Sequence, residues 1–188
     1  MQKKKNVAFT QKGVAAIELA FILPILAIFV FGIIDFGRLI QARLVVANVC
    51  REGGSLASRE PTSKWSALIT MLQKSGEPLD LAGDLGKIYI TEIKAGTSSY
   101  YPNPTKTAPT TGGNLAVPST TTLPKLGLTD AIYYRLTFDV GLGAPFTDGV
   151  TVVEVFYKYK PITPLPHFIE NILLSDVDGT IIRSRSVF

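Results

Sequence analysis

The rhythm of apolar and polar positions changes twice along this chain. From Val14 to Ile34 almost every position is apolar: VAAIELAFILPILAIFVFGII holds one charge, Glu18, and one proline, Pro24, in 21 residues. A helix of that length rises about 30 Å, enough to span a bilayer core. Beyond it, in DFGRLIQARLVVANVCRE, Leu39, Ile40, Leu44, Val45 and Val49 are spaced to one side of a helix. The same helix is therefore expected to continue as an amphipathic stalk over 35–53, stopped by Gly53-Gly54, for roughly forty residues in all. Asp35 and Arg38 can pair at i,i+3 as the chain leaves the apolar run. A second helix is expected after Pro61, where Trp65, Leu68, Ile69 and Leu72 fall at i, i+3, i+4 and i+7. Thr62 or Ser63 would cap it and Gly76 would end it.

The period then becomes two. In AIYYRLTFDV, Ile132, Tyr134, Leu136, Phe138 and Val140 alternate with Tyr133, Arg135, Thr137 and Asp139, which predicts a half-buried strand. VTVVEVFYKYK puts Val153, Val155, Tyr157 and Tyr159 on one face and Glu154, Lys158 and Lys160 on the other, with Phe156 the exception. KIYITEIK and TIIRSRSVF are expected to flank these strands. The fold class is α+β: a long N-terminal helix, a short second helix and about four mostly antiparallel strands. Residues 96–127 interrupt the sheet. Twenty of these 32 positions are Gly, Pro, Ser or Thr, too few apolar groups to offset ordering entropy, so the segment is expected to be an exposed loop. Tyr100 and Tyr101 within it are read as residues of a variable surface loop, with adhesive contacts the alternative.

Composition narrows the chemistry. Of 188 residues, 46% are hydrophobic and 18% charged, which excludes a disordered acidic or basic tail, a coiled-coil rod and a collagen-like fibre. The formal charge of +4 is local. Lys3, Lys4, Lys5 and Lys12 account for four of the 19 bases, and the fifteen that remain balance fifteen acids. No basic face is left for nucleic acid. Those leader charges, with Asp35, Arg38 and Arg43 beyond the apolar run, predict a cytoplasmic N-terminus and an exported body. The apolar run is too long for a signal peptide and lacks an A-x-A-like site, so it is expected to stay in the protein. One Cys and one His leave no set for a structural zinc site, a disulfide framework or a Cys-His nucleophile pair within one chain. Cys50 is read as a small packed side chain, with an intermolecular disulfide as the alternative. No catalytic residue, metal or cofactor is expected.

The most informative constellation is Gly13-Val14-Ala15-Ala16-Ile17-Glu18 behind the lysines. A carboxylate at the bilayer centre costs about 2.5 kcal/mol or more, and less near the interface. Glu18 could simply reach back to headgroups. Alternatively it partners a cation: cleavage after Gly13 would leave an α-amine on Val14, one helical turn away, on its own or an adjacent subunit. Gly13 itself lacks a side chain, which suits a protease that needs close approach to the backbone.

In context, KGVAAIELAFILPILAIFVFGIIDFGRL, VANVCREGGS and the late VVEVFYKYKPITPLP resemble class III, type IV-like prepilins, and specifically the TadE-like family of tight-adherence pilus proteins. The matched pieces span roughly the first 55 residues and another 15. Leu19 stands where the family usually has Phe or Tyr, and the R-E-G step continues Gly54-Ser55 rather than Ala-Arg. The resemblance implies a pilin-like fold and a minor pilin or pseudopilin-like subunit. It implies processing between Gly13 and Val14 by a prepilin peptidase, and Glu18 as an assembly carboxylate. The partners it implies are other pilin subunits, an inner-membrane assembly platform and membrane lipid. The domain plan becomes a cleaved leader at 1–13, a transmembrane helix at 14–34, a stalk at 35–53 and an exported domain at 54–188. The location implied is the bacterial inner membrane, with incorporation into the pilus an extension of it.

Two alternatives compete. One is an unprocessed single-pass anchor that displays an exported binding or adhesin domain. The other is a phosphatase, because ILLSDVDGTII looks like the nucleophile motif of haloacid-dehalogenase-type enzymes, with Asp176 as nucleophile, Asp178 as acid/base and Mg²⁺ bound. Those enzymes place the motif at the start of a domain and need a later lysine and acidic ligands; after Asp178 neither occurs. An Asp-Gly turn into the last strand is the preferred reading. An incomplete calcium loop lacks its distal glutamate, and His167, in a proline-stiffened connector, is read as a packing or solvent-facing residue.

Overall fold

The structure, a computed structural model, describes residues 8–138, 149–163 and 180–188. It is α+β, with a 50-residue helix α1 (Ala8–Ala57), a short helix α2 (Trp65–Ser75), a further short helix α3 (Asp130–Leu136) and one antiparallel sheet. The strands are β1 (Gly86–Lys94), β2 (Thr105–Lys106), β3 (Thr110–Gly112), β4 (Gly149–Lys158) and β5 (Ile181–Val187). The chain divides into two compact units, one of Met1–Ile40 with Pro161–Asp178 and the other of Gln41–Lys160 with Gly179–Phe188.

In the second unit, β1 pairs along its whole length with β4, and β4 pairs in turn with β5. Both short strands pair with the other edge of β1. Register decides which side chains share a face, because residues directly opposite in an antiparallel pair point the same way. Ile88 opposite Val155 and Ile90 opposite Val153 define one face. It packs against the end of α1 and against Trp65, Leu68, Ile69 and Leu72 of α2, all buried as the helical spacing predicts. The start of α2 differs from expectation. A 3₁₀ turn at Thr62–Lys64 precedes the helix, and no side chain caps it. Gly76 does end α2, its N–H donating to the carbonyl of Leu72 at 3.1 Å.

The stalk is longer and smaller-sided than its sequence suggests. Gly53-Gly54 does not stop α1, which runs on to Ala57, where Trp65 Nε1 donates to the carbonyl oxygen at 3.3 Å. A Cβ at Gly53 would sit 2.8 Å from Leu72 Cδ1 and 3.3 Å from Val153 Cγ1, and one at Gly54 would strike the Phe188 ring. The glycines thus admit close approach of helix to sheet, which offsets a propensity cost of about 1 kcal/mol each. The buried stripe is Ala42, Val46, Val49, Cys50, Gly53, Gly54 and Ala57. Of the expected seam only Val49 is fully buried; Ile40 and Leu44 are exposed. Small residues line the contact because larger ones would hold the helix off the sheet.

The opposite face corrects three expectations. The alternating segment after Ala131 is not a strand: Asp130–Leu136 is helical and continues into extended Thr137. Ile132 and Leu136, four apart, share a face at either period, and the helix adds Tyr133 to it in place of Tyr134; Asp130 in the first turn and Arg135 in the last suit the helix dipole. Leu136 is fully buried with Ile93, Ala95, Leu128 and Val152, whereas Tyr134 is exposed and Phe138 only half-buried. Asp139 and Val140 lie outside the described residues. Nor is 96–127 simply an exposed loop, since it supplies β2 and β3 and buries Ser119, Thr120 and Thr121. Finally, Glu154 does not face solvent. It is fully buried, opposite Tyr89 on β1 and Arg185 on β5. Both faces of β4 are covered, so alternation there could not separate inside from outside.

Candidate processing and assembly site

Over residues 14–34 α1 is apolar but for Glu18, and no side chain there is buried. One described helix is long and apolar enough to cross a membrane, with a mean hydropathy of 2.7 in its best window. Phe21 is 73% exposed and Phe29 65%. So continuous an apolar surface requires lipid or another protein around it. Pro24 lies inside this stretch; lacking an N–H, it leaves the Ala20 carbonyl without its helical donor, a loss membrane helices tolerate.

Gly13, Val14 and Glu18 all fall within α1 and are exposed. Val14 and Glu18 are one turn apart, on the same side of the helix. A Cβ added at Gly13 would meet nothing within 4 Å. Among the described residues, Glu18 has no hydrogen-bond or ion-pair partner. The structure thus brings the three sequence-selected residues onto one open stretch of helix. Lys12 belongs to α1, while Lys3, Lys4 and Lys5 lie outside the described residues, as do His167, Asp176 and Asp178. Among the described residues no cluster of His, Cys, Asp or Glu could hold a metal.

Two other carboxylates have partners that the sequence did not reveal. Asp35 accepts from the backbone N–H of Ile162 at 3.2 Å and of Thr163 at 3.4 Å, and from Thr163 Oγ1. Glu154 accepts from Ser119 Oγ, Thr120 Oγ1 and, at 3.1 Å, the Thr120 N–H. Arg185, across the ladder from it, donates to the carbonyls of Leu126 (3.1 Å) and Gly127. Burial pulls the Arg185 guanidinium below its ordinary range, and the negative charge of Glu154 opposes that shift. The hydroxyl run Ser119-Thr120-Thr121-Thr122 was the one signal in the sequence for a buried acid nearby.

Cys50 is a packed side chain. Its thiol donates to the Val153 carbonyl and accepts from Ser186 Oγ, each at 3.3 Å. Burial pushes the thiol up from its ordinary value, with the Ser186 bond working the other way. A buried thiol so placed is poorly disposed to bridge to another chain.

Residues 13–55 match the family model described as TadE-like protein. Neither a curated protein nor a solved structure matches the chain.

Proposed function

We propose that this chain, whose residues 13–55 match the TadE-like family model, is a minor pilin or pseudopilin-like structural subunit of a tight-adherence, type IV-like pilus. One observation carries the reading. The family match falls on the helix whose leading half exposes apolar side chains all round and whose trailing half is the small-sided stalk of an antiparallel sheet. A helix apolar all round suits a subunit held first by lipid and then by neighbouring helices. No catalytic role is assigned to it.

In this proposal a prepilin peptidase cuts between Gly13 and Val14 and removes the lysine leader. The N-terminus is cytoplasmic before cleavage, 14–34 spans the inner membrane, and the domain from residue 54 onward is exported, consistent with the bias of positive charge. The new Val14 amine meets Glu18 of an adjacent subunit, which would neutralise a carboxylate that is expensive in hydrocarbon. Other pilins, the assembly platform and lipid are the partners.

The test compares pilus yield for Glu18→Gln, Glu18→Leu and Gly13→Leu. Both Glu18 changes remove a charge from an apolar segment, so insertion should not suffer, yet assembly should fall while processing continues. Gly13→Leu should block processing itself and leave four lysines on a contact built for one amine. Normal piliation from correctly cleaved Glu18→Leu protein would refute the pairing.

A further inference from the structure

Asp35 is the first charged residue after Glu18 and directly follows the apolar run that ends at Ile34. A carboxylate there belongs at the level of the headgroups, since carrying it deeper is costly. Its oxygens take the N–H of Ile162, the N–H of Thr163 and the Thr163 hydroxyl, 127 and 128 residues further along the chain. Three donors on one carboxylate hold two successive residues of backbone at the height of Asp35. Pro161 stiffens the approach, having a fixed φ and no N–H of its own to satisfy. The Ile162 side chain then stands 62% exposed, on the stretch where Ile33 (72%) and Phe36 (63%) are exposed too. An exposed apolar side chain at that height has the bilayer boundary as its nearest apolar medium, and exposed Lys160, two residues before it, suits anionic headgroups.

We propose that Asp35 is a positioning residue that holds 161–163 at the lipid–water boundary, making Ile162 a second membrane contact of the chain. The occupant of this surface is lipid, continuous with the lipid around the span. The proposal rests on the membrane-spanning reading of 14–34, and the experiment separates the two. The full chain, with Cys50→Ser, receives single nitroxide labels at Ile162→Cys, at Leu26→Cys within the span and at Tyr101→Cys in an exposed loop. In vesicles of phosphatidylcholine and phosphatidylglycerol, collisions with oxygen report lipid and collisions with a water-soluble nickel chelate report water.

Label 162 should show an oxygen-to-nickel ratio between those of 26 and 101. Asp35→Ala and, separately, Thr163→Val should lower the ratio at 162 several-fold towards that of 101 and leave 26 unchanged. Nickel access at 162 equal to that at 101, with 26 still shielded, would overturn the proposal and spare the span. Shielding of 162 from both reagents would mean that protein covers it, which overturns the lipid contact as well. No change at 162 in either variant would remove the role of Asp35. Nickel access at 26 would overturn the spanning reading and this proposal together.

Discussion

Glu18 and Glu154 are both carboxylates set among apolar residues, and they differ in where their partners come from. Glu154 is fully buried in the sheet, and its own chain supplies two hydroxyls and a backbone N–H from Ser119 and Thr120. Glu18 stands exposed on an apolar helix with no partner among the described residues. A buried acid satisfied within its domain is explained by folding. One left open on an exposed apolar helix is not explained by the described fold. The same contrast runs along α1, whose second half has small residues fitted to a sheet while its first half has large ones that stay exposed among the described residues.

The largest test of the domain side is deletion of 113–122. Loop closure alone would predict a mild effect. Because Ser119 and Thr120 hold Glu154, the full chain in detergent should instead lose cooperative thermal unfolding. A deletion variant that melts like the parent would put Glu154 in the same position as Glu18. Smaller but more pointed is Glu154→Ala, which strands the donors of Ser119 and Thr120. Its expected cost is about 2–3 kcal/mol in denaturant unfolding of the sheet domain, given the usual worth of bonds to charged groups. Glu18→Ala should leave the same transition in place.

The two halves of α1 can be compared through their glycines. Gly53→Leu must push on Leu72 and Val153 and should cost about 1–3 kcal/mol by overpacking, whereas a Cβ at Gly32 or Gly37 would meet nothing within 4 Å. Leucine at either of the latter should leave the domain's melting unchanged. The smallest effect concerns Cys50. Its thiol is pushed up by burial, so iodoacetamide should label it far more slowly in the folded chain than after denaturation. The sign for stability follows. A raised folded-state value means that the contribution is complete below the ordinary thiol range and fades as pH rises through the raised value. Rapid labelling of the native chain would reopen the intermolecular disulfide.

What was legible in the sequence depended on whether one face or two were covered. The apolar run shows by length and α2 by its single helical period, while β1, β4 and β5 show by their β-branched and alternating stretches; the structure has each of them. Ile132 and Leu136 fit both periods, so seven helical residues passed for a strand. The stalk's contact with the sheet was hidden because hydrophobicity marks large residues, while close packing here selects Ala, Val, Cys and Gly. The cover over Glu154 was hidden because Ser and Thr signal loops when counted and acceptors' partners only when placed. Gly13, Val14 and Glu18 could be picked out because a charge inside an apolar run is conspicuous. The attachment of Asp35 to Thr163 could not be, since nothing local links residues so far apart.

The central claim is that the chain acts as a processed pilus subunit. Intact mass of the protein from cells with and without the prepilin peptidase tests it most directly. The account predicts that peptidase-positive cells yield a species lacking residues 1–13 and beginning at Val14, and that peptidase-negative cells yield the unprocessed chain. The same unprocessed mass from both would contradict it.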